Sequence, residues 1–339
     1  MEISFQGKEG KKMEAYNSYL IVCDFDGCLA ATFEPSPKGR NVQEAYEYAI
    51  GSVFGKYGLE VYKKIGGLQN RAPREVVETL LANGNRENLI ENAGSFFCKE
   101  QTSLDGLIPK GKGYPLEWKE GRFWDPGNVI TEMLVRCKLS HLLGEISKEW
   151  PRPYNGVLDF LETIGKINKD GQVDVQLAIL SSGHEEFIKR TFSAWGFPCP
   201  QILVTDDDMR DRNYPRESWK RIKPSVVIFD LVHLLWFAVK NGPIADNLQL
   251  IRFMIETRSR MIYFGDDIAK DGKLAGVAGV PFGWFDPNSK LLNRPCNGDL
   301  FVFCDWQKMA EFFSKASTVK SFKEGRSFKE IVVPLCRSQ

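Results

Sequence analysis

Tyr19-Leu20-Ile21-Val22-Cys23, running straight into Asp24-Phe25-Asp26-Gly27-Cys28-Leu29, is the stretch on which the reading of the fold turns. Five consecutive apolar residues, too few for a helix and stopped by an acidic residue, predict a strand buried on both faces, as in a parallel sheet. Apolar runs of the same kind recur at 175–180, 201–204, 261–264 and 300–303. Helical patterns at 156–167, 184–195, 224–240 and 244–258 lie between them. Strands alternating with helices predict an α/β, Rossmann-like doubly wound parallel sheet, whose ligands sit beyond the carboxyl ends of the strands.

After the first strand the texture changes. Amphipathic patterns at 42–54, 73–83 and 127–146 take over, separated by Gly/Pro breaks at 66–67, 106–115 and 151–153. They predict a helical domain at 33–152, inserted into a core made of 17–32 and 153–315. Residues 1–16 read as a polar leader. Residues 316–339 read as a C-terminal tail, charged apart from Ile331-Val332-Val333, and nothing in their pattern places them.

Composition narrows the classes of function. The 339 residues carry 45 Lys plus Arg against 44 Asp plus Glu, so a net charge of +1 gives no reason to expect a nucleic-acid partner. Hydrophobic residues at 43% suffice for a packed core, while no segment approaches the roughly 18 apolar residues of a membrane span. The eight cysteines are scattered without a C-x-x-C pair, which fits a reducing compartment, and the N-terminus shows no signal-peptide pattern. The chain is expected to be cytoplasmic.

The residues suited to chemistry stand at strand ends. Asp24 and Asp26 put two carboxylates at one edge of the sheet, a costly arrangement unless a cation or a proton shares the site. Magnesium, a hard cation that prefers oxygen ligands, meets that need. The plainer reading is a turn that uses Asp and Gly for its backbone. Ser181-Ser182-Gly183 follows the second strand and precedes a helix, so it is either a seat for phosphate or an ordinary cap. Lys223-Pro224 places a lysine just ahead of the 224–240 helix. Gly265-Asp266-Asp267-Ile268-Ala269-Lys270-Asp271 is a second acidic cluster directly after an apolar strand.

Taken in order, Asp-x-Asp-Gly, strand-Ser, Lys-Pro and strand-Gly-Asp-Asp-x-x-x-Asp resemble the motifs of the haloacid dehalogenase-like phosphatases with a helical cap, over roughly 18–305. Pro151-Arg152-Pro153-Tyr154-Asn155-Gly156-Val157 is similar to that family's re-entry from cap to core. Two features depart from its pattern: the long spacing between Lys223 and Asp266, with an extra helix at 244–258, and the length of the insertion.

The resemblance implies a phosphatase that hydrolyses a small phosphate monoester through an aspartyl-phosphate, with Mg2+ as cofactor. It makes Asp24 the nucleophile and Asp26 the acid/base. It gives the metal to Asp24, to Asp26 through its backbone carbonyl, and to Asp266, with Asp267 and Asp271 supporting water ligands or Lys223. Ser181, Ser182, Gly183 and Lys223 would hold the phosphoryl oxygens. Arg71, in the loop at 66–71, is a candidate for a second anionic group on the substrate, or else a surface arginine. A phosphomutase shares Asp-x-Asp and stays a rival, as does a catalytically silent binding scaffold. His141 and His233 read as packed residues, Cys28 as a small apolar filler, and His184 as either phosphate-facing or part of a polar first turn. The expected partner is a small phosphorylated metabolite, and the sequence does not give the oligomeric state.

Overall fold

The computed structural model describes residues 18–34, 40–67, 71–108, 112–114, 116–118, 125–144, 149–210, 220–244, 246–289 and 299–337. The leader at 1–16 lies outside them, as do 68–70 of the 66–71 loop, 145–146 of the helix expected at 127–146, and 338–339. Six strands, β1 (Ser18–Cys23), β2 (Asp174–Ser181), β3 (Ile202–Thr205), β4 (Met261–Gly265), β5 (Phe282–Phe285) and β6 (Leu300–Phe303), form one sheet. All its pairings are parallel and its order is β3-β2-β1-β4-β5-β6. Every residue of β1 is buried, and successive side chains serve opposite layers. Tyr19, Ile21 and Cys23 join one apolar cluster, while Leu20 and Val22 join another.

Between β1 and the helix that leads into β2, the described residues make four helices, α1 (Val42–Lys64), α2 (Pro73–Asn83), α3 (Arg86–Asp105) and α4 (Pro126–Leu143). They close on an apolar cluster of their own that includes Val53, Phe54, Leu80, Leu89 and Met133. The link to the sheet is a paired crossing of the chain. The Ala31 N–H donates to the Arg152 carbonyl and the Tyr154 N–H to the Leu29 carbonyl, each at 3.0 Å. α4 is buried nearly all round, and its Val135, Leu139 and Leu142 reach the sheet-side cluster, so it fastens the cap to the core.

α5 (Val157–Ile167) leads into β2, and after that strand come α6 (Glu185–Ala194), the single turn α7 (Asp206–Met209), α8 (Val226–Asn241), α9 (Asn247–Thr257) and α10 (Lys273–Ala278). Three more helices end the chain: α11 (Trp306–Ser314), α12 (Ala316–Lys323) and α13 (Phe328–Arg337). α5, α6 and α11 cover one face of the sheet, and α8, α9 and α10 cover the other. No helix among the described residues is long and apolar enough to cross a membrane.

Four elements differ from the sequence-based expectation. α1 runs on past 54 because Gly55 takes φ +70° and lets the helix kink and continue to Lys64. α3 was not anticipated, although Leu89, Ala93 and Phe97 bury a face at helical spacing and the Asn85 side chain caps its start. β5 is four residues with a glycine inside, too short to stand out. α8 starts at Val226, two residues late, so Lys223 and Pro224 stay in the preceding turn, where the Ser225 N–H donates to Ile222 O at 2.8 Å.

The last segment is part of the core. Phe322, Phe328, Ile331 and Val332 are buried. Tyr19 of the first strand meets the Phe322 ring at 4.7 Å and the Phe328 ring at 5.5 Å, both edge-on. Its hydroxyl donates to the Arg326 carbonyl at 2.8 Å. The phenol sets its polar tip against the carbonyls of the C-terminal turn, an arrangement that only the folded chain reveals. Phe322→Ala is therefore expected to lower the unfolding free energy by about 3–5 kcal/mol, as deletion of a fully buried aromatic ring does. Urea unfolding measures it, and a loss under ~1 kcal/mol would mean that the C-terminal helices are not part of the core.

Candidate active site

In this sheet the strand order reverses at β1: the chain moves outward through β2 and β3 on one side, then returns to β4 on the other. That reversal leaves a crevice at the carboxyl ends of β1, β2 and β4. The register fixes which residues reach it. Cys23 pairs with Ile179 and with Phe264, so Asp24, Ser181 and Asp266 leave the sheet side by side. The Asp24 N–H still donates to the Phe264 carbonyl at 2.8 Å, which holds the residue at the rim.

Asp24 Oδ1 lies 2.9 Å from Lys223 Nζ and accepts the Phe25 N–H at 2.8 Å. The same ammonium reaches Asp271 Oδ1 at 2.9 Å, and the Tyr263 hydroxyl donates to that oxygen at 2.7 Å. Oxygens of Asp24, Asp266 and Asp271 all lie within 4.8 Å of one another. Three carboxylates at that spacing face one lysine, and burial disfavours every charged form. Burial pushes the Asp24 carboxyl well above the ordinary range, against the pull of Lys223 and with help from Asp271 and Asp266. Burial, then Asp271, pushes Asp266 up to about 7. Burial alone would draw Lys223 down, but the charges of Asp24 and Asp271 outweigh it and hold the ammonium charged.

Local chain geometry makes this crowding possible. Gly27 has φ +77°, and a Cβ there would stand 2.3 Å from Asp266 Oδ2, so only glycine lets the first turn pass the second acidic cluster. Gly183 is needed for a different reason. A Cβ on it would meet Asp26 Oδ2 at 2.7 Å and Ser181 Oγ at 3.1 Å. The Trp284 indole N–H donates to the Asp266 carbonyl at 2.9 Å and fixes the loop after β4.

The expected residues divide in the structure. Asp24, Asp266 and Asp271 come together as a set of oxygens, whereas the Asp26 carboxylate stands apart beside Gly183. Asp271 is the partner of Lys223. Asp267 caps the turn that follows, accepting from the Ala269 N–H at 2.8 Å and the Lys270 N–H at 3.0 Å. Ser181 is fully buried, and its Oγ accepts the Gly183 N–H at 2.9 Å, which leaves its own proton to be donated. Ser182 and Arg71 line the cleft and are exposed. Burial raises the Asp26 carboxyl, opposed by Lys138, the Thr32 hydroxyl and Lys223 in that order, and its Oδ1 is buried with no hydrogen-bond partner.

The histidines stay outside. His184 Nδ1 lies 3.2 Å from Asp207 Oδ2, and burial, then Lys138, draws the imidazole pKa down against the pull of Asp207. His233 bonds Thr257 Oγ1 at 2.8 Å, and His141 stacks on Tyr48 at 4.4 Å. Cys28 is buried in the apolar cluster.

Several cleft residues escaped the sequence analysis, among them Tyr46, Glu75, Lys138 and Asp206. Lys138 enters from cap helix α4, and Asp206 stands at the end of β3. Asp206 carried a signal, since Asp206-Asp207-Asp208 follows an apolar strand as the two recognised acidic clusters do. Lys138 carried none, because α4 reads as an ordinary apolar helix. The cleft that these residues and the core motifs enclose has a volume of about 320 Å3, within the range of small-ligand sites.

No family model matches the chain, and no curated protein matches it. Solved structures do. The HAD-hydrolase YfnB from Bacillus subtilis, bound to magnesium, is 12% identical over 88% of this chain and 100% of that one, with a TM-score of 0.39. CbbY from Rhodobacter sphaeroides, in complex with phosphate, is 14% identical over 86% and 96%, with a TM-score of 0.42. A 2-haloacid dehalogenase from Pseudomonas syringae is 14% identical over 86% and 96%, with a TM-score of 0.39.

Proposed function

We propose that this chain is a magnesium-dependent phosphohydrolase acting on a small phosphate monoester through a phosphorylated Asp24. The observation that carries the reading is the joint position of Asp24 and Asp26: two carboxyl groups on one turn, one buried beside a cluster of acids and a lysine, the other half-buried with no hydrogen-bond partner on its buried Oδ1. A dehalogenation at Asp24 has no use for a second carboxyl that can hold a proton, whereas an alkoxide leaving group needs one.

The donor set fits a hard divalent cation. The three carboxylates exceed what one ammonium neutralises, and the Asp24 and Asp266 carboxyls hold protons well above the usual range until further positive charge arrives. Asp24, Asp266 and the backbone carbonyl of Asp26 would hold the ion, with Asp271 committed to Lys223 and Tyr263. Magnesium, when bound, supplies charge that keeps these carboxylates ionised and draws a phosphate oxygen toward the rim.

The chain's own residues do the rest. Lys223 and the Phe25 N–H hold Asp24 Oδ1, so the Oδ2 lobe is presented to the cleft. Attack by that carboxylate forms the P–O bond to Asp24 as the ester P–O bond breaks, and Asp26 gives its proton to the departing oxygen. Asp26 then takes a proton from the water that attacks phosphorus, so that inorganic phosphate leaves and both carboxyls return to their starting states. Ser181 donates its free proton to a phosphoryl oxygen, and Lys223 spreads charge over another.

Purified protein incubated with a range of phosphate monoesters is expected to release phosphate with magnesium and not with EDTA. Asp24→Asn is expected to lower the rate by roughly 10^4-fold or more with the far-ultraviolet spectrum unchanged. Isomerisation without release would identify a mutase, and tight partner binding without turnover a scaffold.

A pH dependence of stability follows as well. Asp24 and Asp266 have folded-state pKa values raised above the unfolded 3.8, so the native state binds more protons and the metal-free protein loses stability as pH rises from about 4 through about 7. Added magnesium is therefore expected to raise the melting temperature by roughly 3 °C or more at pH 8 and much less at pH 5. In Asp266→Asn the pH-linked loss and the magnesium response should both shrink; an unchanged response would place the ion elsewhere.

A further inference from the structure

We infer that Lys138 and Asp206, on the wall of the cleft, read the leaving group of the substrate and select a hydroxylated one, a polyol or sugar monophosphate. The inference rests on the phosphohydrolase reading of the same site and adds to it which ester is taken.

Lys138 comes from cap helix α4 and is 5% exposed, yet it lines the cleft. Its Nζ lies 4.7 Å from the centre of the Tyr46 ring, and among the described residues no carboxylate lies within ion-pair distance of it. Asp206 lines the same cleft, is 7% exposed, and keeps Oδ1 buried with no hydrogen-bond partner. A buried carboxyl oxygen without a donor is rare in a finished protein interior, and here it borders the same cleft as a lysine that makes no ion pair among the described residues. The network nearby does not account for them. Arg210 pairs with Asp207 and Glu132, and Lys112 pairs with Asp208 and Glu185, leaving Asp206 and Lys138 to the cleft.

The pair's chemistry limits what it can take. The ammonium offers donors only, and the carboxyl oxygen offers an acceptor. A hydroxyl satisfies both at once, accepting from Lys138 and donating to Asp206, and neighbouring hydroxyls on a polyol can do so separately. A second carboxylate or phosphate on the substrate would gain from Lys138 but would be set against Asp206 and Asp26. A bare hydrocarbon group would leave both protein groups unpaired, and a site built for hydrogen bonds rejects such a ligand strongly.

The test compares kcat/KM, with magnesium, for a set of polyol and sugar monophosphates, for phosphoglycolate and for phenyl phosphate. Wild-type protein is expected to prefer its best hydroxylated substrate over the other two by roughly 10-fold or more. In Asp206→Asn and in Lys138→Met that selectivity ratio should fall toward one, through a higher KM for the hydroxylated esters. Free polyol should inhibit the wild type competitively, a measurement that needs no variant to fold. Preference for phosphoglycolate or phenyl phosphate, ratios unchanged in both variants, or no inhibition by any polyol overturns the assignment while leaving the phosphohydrolase intact. Absence of phosphate release from every ester overturns both.

Discussion

Three carboxylates and one lysine compete at the rim of the sheet, and most of the architecture around the site serves to hold that competition in place. The oxygens of Asp24, Asp266 and Asp271 are within 4.8 Å of one another, with Lys223 between two of them. In water such a group would spread apart. Here it cannot, because Asp24 and Asp266 are continuations of adjacent parallel strands whose backbone ladders fix their spacing. Lys223 is equally confined, lying 5.4 Å from the Tyr263 ring on one side while the Tyr263 hydroxyl ties down its partner Asp271. The sheet thus stores unfavourable like-charge proximity that only a proton or a cation relieves. Gly27 and Gly183 mark where the chain had to give up side chains so that the acids could stand this close.

The cap is held by a different charge system, and its members do not overlap with the first. Arg136 pairs with Glu132 at 2.9 Å, Glu132 with Arg210 at 3.1 Å, Arg210 with Asp207, and Asp207 with His184, in a chain that crosses from α4 to the ends of β2 and β3. Burial would raise Asp207, but Arg210 and then His184 hold it below the ordinary carboxylate range. Removing one member of such a buried chain leaves its neighbour uncompensated, which typically costs more than the intact pair gains. The chain therefore fixes where α4 sits, and with it the depth at which Lys138 enters the cleft.

How much of this was legible follows from the kind of signal each part carries. β1 and Asp24 could be read because an apolar run and an acidic turn coincide in eleven consecutive letters of one segment, 19–29. The second cluster repeats the pattern, so Asp266 was found by the same logic. What could not be read was the partnership among distant segments: that Asp271 and not Asp267 holds Lys223 depends on the turn after β4, in which Asp267 spends its carboxylate on the Ala269 and Lys270 N–H groups. The C-terminal helices were opaque for another reason. Their apolar residues are few and become a core face only when laid against Tyr19, more than three hundred residues away in sequence.

Asp26 feels both Lys223 of the core and Lys138 of the cap helix. It follows Asp24 by two residues, yet its carboxylate faces Gly183 on the core side, and the largest charge acting on it comes from Lys138 on the cap. A group that gives a proton to a departing oxygen has to stand where that oxygen leaves, which is the boundary between the phosphate end of the cleft and the end that holds the rest of the substrate. In the proposed reaction Asp26 would occupy that boundary, since it follows Asp24 by two residues and feels Lys138 of α4 as its largest charge. On the proposed reaction, the division of labour between core and cap would be a consequence of position: the strand ends would supply the charge that acts on phosphorus, and α4 would supply Lys138 to meet what leaves.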